Sequence, residues 1–358
     1  MVPLALVGMS YREAPSAVRA ALAAIDAEVG GPSQQLLDAG QVTGVVRIES
    51  CARVEWLFAA EHPAWAAELF SATLIGAAEN PDRLRPRVRH GAAAAGALLR
   101  VAAGLDSVAQ GEHAIGNQVL RSFERAHEAG TVCRNLHVAW RGVGEMLGKA
   151  RRILPQGRTG GVQQLVIDRI TDVPRDAPIA VFGLGEIGRA MLRALNDAGF
   201  LAAESFNRAS MRAFDGAVAR AEVVIIASGA PHAWLTLPPG GGRQVFDLGS
   251  PLQIVAAPGW RMTGLDELLD GHGAVLPDAE YAALEAECAT SAEKICQTLL
   301  APPPSDTLAA MTAIRTEFMQ NKLPGLLEGL PPQRARKLTS EVNAMLHEFI
   351  SAARREPQ

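Results

Sequence analysis

The feature that most restricts what this chain can fold into is an apolar run, Pro178-Ile179-Ala180-Val181-Phe182. It is followed at once by Gly183-Leu184-Gly185-Glu186-Ile187-Gly188 and then by a helical pattern from Arg189 to Ala198. Glycines at this spacing are common by themselves. In the order strand, glycines, helix they mark a dinucleotide site, which demands a parallel sheet flanked by helices. Gly183 makes the tight turn, Gly185 lets the backbone approach a pyrophosphate, and Gly188 lets helix and strand meet closely. Leu184, Glu186 and Ile187 fill the rest of the turn. The next strand, 201–206, runs out into Asn207-Arg208-Ala209-Ser210, where Arg208 suits a 2′-phosphate and the carboxylate of Glu204 lies further back. That favours NADPH over NADH. The alternative is a surface arginine beside a turn. Further strands at 222–228 and 244–248 place Ser228, Gly229 and Gly249-Ser250-Pro251 at the edge of the same crevice.

A second stretch carries chemistry. The run Gly44-Val45-Val46-Arg47-Ile48 delivers Cys51 to a polar turn, with Ser50 before it and Arg53 two residues after it, ahead of the strand-like Trp56-Leu57-Phe58-Ala59-Ala60. A guanidinium and a hydroxyl nearby favour the thiolate, the nucleophilic form. The plainer reading is a small buried hydrophobe. The four cysteines are widely spaced with no CxxC pair, which argues against a zinc site or a redox dithiol and points to a reducing, cytoplasmic setting. A formal net charge of -4 argues against an unselective nucleic-acid coat and leaves room for a local basic patch. The first eight residues lack a basic lead and are too short an apolar run for a signal peptide or a membrane span. They read as a first strand.

The 358 residues are too many for one core and fit two or three domains. Pro15 sits near the start of a helix reaching Ala24. The run 81–90, with Arg83, Arg85, Arg87, Arg89 and His90, reads as solvated charge or as a phosphate contact. A helix over 92–101 ends at Gly104, a C-cap. The loop 105–113 displays polar groups, either to a substrate or, through Asp106 and Ser107, as caps of the next helix. Helical patterns over 114–129 and 131–153 then break at 155–161. The expected organisation is a first domain over 1–154, a dinucleotide domain over 158–272, and a helical segment over 273–358. Such a segment is too small for a core of its own and suits oligomerisation.

Taken together, these pieces resemble the glutamyl-tRNA reductase family. The residues that carry the likeness are Gly8-Met9-Ser10-Tyr11-Arg12-Glu13-Ala14-Pro15, Ser50-Cys51-Ala52-Arg53-Val54-Glu55 and Arg100-Val101-Ala102-Ala103-Gly104-Leu105-Asp106-Ser107. Gly111-Glu112, Gln118-Val119, the glycine turn, Asn207-Arg208, Ser228-Gly229-Ala230-Pro231-His232 and Met345-Leu346-His347 add to it. The resemblance implies an α/β multidomain chain with an N-terminal α+β catalytic domain, a Rossmann NADPH domain, a long spinal helix and a C-terminal helical dimerisation domain, paired as a V-shaped homodimer. It implies a cytoplasmic oxidoreductase of tetrapyrrole (porphyrin) biosynthesis. A cysteine thiolate takes the glutamyl group from tRNA as a thioester, and NADPH reduces it to glutamate 1-semialdehyde for a downstream aminomutase. By the same resemblance Cys51 is the nucleophile, Arg53 holds the substrate carboxylate, and Ser50, Ser107, Glu112 and Gln118 belong to the substrate pocket.

The departures are specific. The family's histidine ahead of the Arg100 stretch falls on Ala97, and losing an imidazole there costs a proton-transfer contribution of about 100-fold or more. Ala52, Val54 and Ala114 replace polar residues of the family pattern, while His113 stands in place of its proline in the pocket loop. His113 is therefore a candidate catalytic substitute for the missing imidazole, or else a helix-capping or surface histidine. Two other functional classes stay open: a paralogue reducing a different aminoacyl-tRNA or thioester, and a non-catalytic regulatory protein that binds tRNA or NADPH.

Overall fold

This computed structural model describes residues 1–78, 84–108, 110–111, 113–154, 161–230, 232–270, 276–301, 306–327, 329–331, 334, 337–343 and 345–346, the backbone alone at 113 and 306–310. Arg83, Pro231 and His347 lie outside them. The chain divides into two compact units, Met1–Leu300 and Ala301–Gln358.

The first unit opens with β1 (Leu4–Ser10), α1 (Ser16–Ala27), α2 (Pro32–Asp38), β2 (Gly44–Ser50), β3 (Arg53–Ala59), α3 (Pro63–Gly76) and β4 (Arg87–His90). The strands form an antiparallel sheet in the order β2-β3-β1-β4. Successive side chains on a strand point to opposite faces, and here both faces are covered. Leu4, Leu6, Val46, Ile48 and Leu57 enter one core. Ala5, Val7, Met9, Trp56 and Phe58 enter the other. A sheet covered on both sides reads as continuous apolar runs, which is why β1 and the second half of β3 were legible. The arginine-rich run ends in β4, an edge strand on β1 with Arg87 exposed; alternating arginines on an edge discourage pairing with another chain.

Helices α4 (Ala92–Ala102), α5 (His113–Glu128) and α6 (Arg134–Ile153) follow. The last starts three residues later than the periodicity suggests, with Cys133 as its N-cap. Then come α7 (Val162–Arg169), β5 (Ile179–Phe182), α8 (Glu186–Asp197), β6 (Ala203–Phe206), α9 (Met211–Val218), β7 (Val223–Ile226), β8 (Leu235–Thr236), β9 (Gln244–Asp247), β10 (Ile254–Ala256), β11 (Arg261–Gly264), α10 (Leu265–Leu269) and α11 (Asp278–Leu300). Strands β11-β9-β7-β5-β6 make one parallel sheet. Every residue of β5 and β7 is buried, as a parallel sheet covered by helices requires. The sheet order reverses between β5 and β7, and a crevice outside the carboxyl ends of strands at such a switch point is where open α/β sheets bind ligands. The fifth strand, Arg-Met-Thr-Gly in sequence, lacked the apolar run that revealed the others.

Helix α11 has 23 residues, about 34 Å at 1.5 Å per residue. It lies on α4 and α6 and adds Leu284, Ile295 and Leu299 to the first core. The second unit comprises α12 (Asp306–Glu317), a π-helical turn (Phe318–Lys322) and α13 (Leu323–Leu326). Among the described residues no helix is long and apolar enough to cross a membrane.

Candidate active site

The glycine turn is built as steric necessity demands. Gly183 has φ +121°, and an added Cβ there would overlap the Ala227 carbonyl. A Cβ on Gly188 would overlap the Gly183 carbonyl oxygen. Gly185 is different, since nothing lies within 4 Å of where its Cβ would be, and the same holds for Gly229 across the crevice. Gly183 makes the turn and Gly188 the helix contact, while Gly185 leaves room beside the α8 N-terminus. An extended pyrophosphate fits such a cradle, where backbone N–H groups and the helix dipole favour anions. Behind it the buried Asp247 accepts hydrogen bonds from the N–H groups of Gly249, Gln253 and Ile254 at 2.7–3.0 Å, and burial pushes its carboxyl above the ordinary value. Gln253 in turn binds both backbone groups of Ala230, tying the loops after β7 and β9 together.

After β6, Asn207 and Ser210 bond to each other as a capping box. Their polar groups shape the turn, and the exposed Arg208 is the cation it displays.

The nucleophile candidate sits on a two-residue turn. Ser50 pairs with Arg53 in the β2–β3 register, so Cys51 and Ala52 form the loop of a tight hairpin. The loop is pinned from three sides. The Ala52 carbonyl accepts from the Tyr11 N–H at 2.7 Å, the Ala52 N–H donates to Ser50 Oγ at 3.2 Å, and the Cys51 carbonyl accepts from Arg19 Nη2 at 2.6 Å. Cys51 is half-buried. Arg19 is 3% exposed and also donates to the Ala14 carbonyl; its charge faces Asp266 at 3.9 Å. Burial lowers its pKa, against the opposing pull of Asp266. Arg53, also 3% exposed, pairs with the buried Glu55 at 3.2 Å and donates to the Asp106 carbonyl at 2.7 Å. Its Nε is buried without a hydrogen-bond partner.

Two cavities meet at this turn. The larger, about 770 Å³, is lined by Ser50, Cys51, Arg53 and Gln118 from the antiparallel-sheet side. Gly185, Glu186, Ile187, Ser228 and Gly229 line it from the dinucleotide side. The smaller, about 60 Å³, adds the buried Ser107 to Ser50, Cys51, Arg53 and Gln118. The structure thus brings most of the sequence-named residues together. Gly183, Leu184, Gly188, Asn207, Arg208 and Ser210 line neither cavity. Glu112 and the side chain of His113 lie outside the described residues. Ala97 is 6% exposed in the core beneath α4 and lines neither cavity. Asp106 does not cap α5; its carboxylate accepts from Arg100 at 3.0 Å.

Sequence reasoning missed the other arginines on the large cavity: Arg19, Arg47, Arg121 and Arg125. A signal existed for two of them. Gln118, Arg121, Ser122 and Arg125 recur at helical spacing along α5, which makes them one face. Arg121 bonds to Glu186, the first residue of α8, so the two sides of the cavity are linked by an ion pair.

Residues 7–150 match the family model described as glutamyl-tRNAGlu reductase, N-terminal domain. A glutamyl-tRNA reductase of Salinibacter ruber is 29% identical over 252 residues, covering 61% of this chain and 50% of the relative. One from Methanopyrus kandleri is 29% identical over 219 residues, covering 56% and 52%. The chain therefore spans about half the length of the curated relatives it matches. The solved structure of glutamyl-tRNA reductase from Methanopyrus kandleri aligns with 100% of this chain and 96% of its own, at 19% identity and a TM-score of 0.40.

Proposed function

We propose that this chain, whose residues 7–150 match the N-terminal domain of the glutamyl-tRNA reductase family, is a member of that family and reduces the aminoacyl group of glutamyl-tRNA to an aldehyde through a thioester on Cys51. The observation that carries the reading is one cavity lined both by Cys51 and by Gly185, Ser228 and Gly229 of the dinucleotide crevice.

The Cys51 thiolate attacks the ester carbonyl carbon. A C–S bond forms, the ester C–O bond breaks, and the tRNA ribose oxygen leaves and takes up a proton. Bound NADPH would supply hydride to the thioester carbon. The C–S bond then breaks and Cys51 leaves as thiolate, ready for another cycle. Arg53 orients the acyl group, offering a guanidinium edge to a side-chain carboxylate, with Ser50, Ser107 and Gln118 around it. Gly185 and the α8 N-terminus would hold the pyrophosphate, and Arg208 a 2′-phosphate. The helical unit 301–358 is the dimerisation element in this reading; its exposed Ile314, Leu326 and Met345, each at least 60% accessible, support that role.

One observation favours a second reading. Arg53 is already neutralised by Glu55, so an incoming carboxylate must share it, and a paralogue acting on a different aminoacyl group avoids that competition. Intact-protein mass spectrometry after mixing the chain with charged tRNAs, without NADPH, separates the two. An adduct of glutamyl mass that is absent from Cys51→Ser supports the first, and another aminoacyl mass supports the second. No adduct on folded protein that still binds NADPH would refute both and leave a binding role.

A further inference from the structure

We propose that Arg19 is a positioning residue for the nucleophile, fixing the Cys51 turn and supplying a cation that favours its thiolate, and that Asp266 of the dinucleotide module sets how strongly it does so. The inference rests on Cys51 being the nucleophile of the reading above. Its geometry is independent of the substrate.

The Arg19 guanidinium is clamped between two carbonyls, that of Ala14 on its own segment and that of Cys51 on the hairpin. A buried guanidinium with two such acceptors has little freedom, and whatever it bonds shares that rigidity. It therefore holds the backbone atom next to the thiol-bearing Cα. Its counter-ion comes from the dinucleotide module, on α10. Asp266, the second residue of α10, accepts from both the N–H and the hydroxyl of Ser16, at 2.7 and 2.8 Å, and faces Arg19 at 3.9 Å. Ser250, in the loop after β9, donates to the Ser16 carbonyl at 3.0 Å. Two groups of the dinucleotide module thus anchor the first turn of α1, and α1 holds the cysteine through Arg19.

Other charges on the large cavity include Arg53 on β3, Arg47 and Glu49 on β2, Arg121 and Arg125 on α5 and Glu186 on α8. Arg53 and Arg121 are each paired with a carboxylate, Glu55 and Glu186. Glu49 pairs with Arg47 at 3.5 Å. Arg19 has a looser partner, since Asp266 accepts its short hydrogen bonds from Ser16 and its carboxylate is 42% exposed. The field of Arg19 at Cys51 is thereby less cancelled than the fields of Arg47, Arg53 and Arg121, while Arg125 donates to the Ser122 hydroxyl of its own helix at 3.0 Å. An opposite charge close by favours the ionised form of a thiol.

The test is the rate of Cys51 alkylation by iodoacetamide from pH 5 to 10, read on the full chain by intact mass and peptide mapping, with Cys51→Ser as background and thermal unfolding as the folding control. It needs neither tRNA nor NADPH, so failure of the reductase reading does not decide it. Arg19→Gln is expected to slow alkylation at neutral pH by about tenfold, the effect of moving a thiol by one pH unit, and to shift the rate curve to higher pH. Arg19→Lys, which keeps the charge, should recover most of the rate. Asp266→Asn removes the counter-charge while retaining an oxygen for the Ser16 N–H, so it should speed alkylation and shift the curve to lower pH. A purely structural role would loosen the turn in both variants and move both curves the same way, which overturns the proposal, as does an Arg19→Gln curve that coincides with the parent. If Arg19→Gln does not fold, Asp266→Asn decides alone: a faster rate supports the proposal, and an equal or slower one overturns it.

Discussion

Gly188 and Gly185 are three residues apart in one turn, yet a methyl group would meet a carbonyl oxygen at the first and open space at the second. Gly185 also has φ -69°, a backbone any residue adopts. The two alanine variants should therefore fail differently. Gly188→Ala is expected to cost about 1–3 kcal/mol of stability in urea unfolding, the usual price of overpacking, and to lose dinucleotide binding with it. Gly185→Ala should unfold within about 0.5 kcal/mol of the parent and still bind NADPH more weakly by fluorescence titration, because its methyl group occupies the phosphate approach. Equal stability losses would show that open space beside Gly185 is not what the turn preserves. At this scale the glycines were legible because their constraint is local. Arg19 was not: 32 residues separate it from the Cys51 carbonyl it binds, and nothing in either segment announces the other.

Elements were legible where burial left a periodic mark. The α5–α6 junction shows what periodicity does not report. Phe123 and Trp140 stack with ring centroids 5.8 Å apart, His137 stacks on Trp140 at 5.7 Å, and His127 meets His137 edge-on at 5.3 Å. Burial, then the positive charge of His127 and of Arg141, holds the His137 imidazole below its ordinary 6.5. A base whose folded pKa is depressed stabilises the fold above its unfolded value and loses that contribution as pH falls through the folded one. The stability advantage of the parent over His137→Phe should accordingly shrink as pH drops below 6.5 in chemical-denaturation series. An advantage constant from pH 7.5 to 5 would mean that the stacked ring does not change charge on unfolding.

For the whole first unit, one large cavity is lined both by the cysteine hairpin and by the glycine turn after β5. A ligand bound only by the folded form stabilises by mass action, about 2.7 kcal/mol at one hundred times its Kd. NADPH at that excess should raise the thermal midpoint and slow proteolysis both in β5–α8 and in the β2–β3 hairpin. Protection confined to the dinucleotide sheet would show that the ligand leaves the hairpin uncoupled. Helix α11 supports the same unity, since it adds Leu284, Ile295 and Leu299 to a core begun by Leu4 and Leu6.

By itself the sequence determined the elements with an apolar period, the glycine turn and the candidate nucleophile, because such a period, a left-handed backbone or a thiol between two strands is a property of a few neighbouring residues. Only the tertiary structure decided which charges act on that thiol. Five arginines line the large cavity, and composition treats them alike. The fold gives Arg53 to Glu55, Arg121 to Glu186, and Arg19 to the Cys51 carbonyl with Asp266 behind it. The partner of a charged side chain is set by sheet order and by how two modules meet, and the Coulomb energy that follows depends on distance and burial.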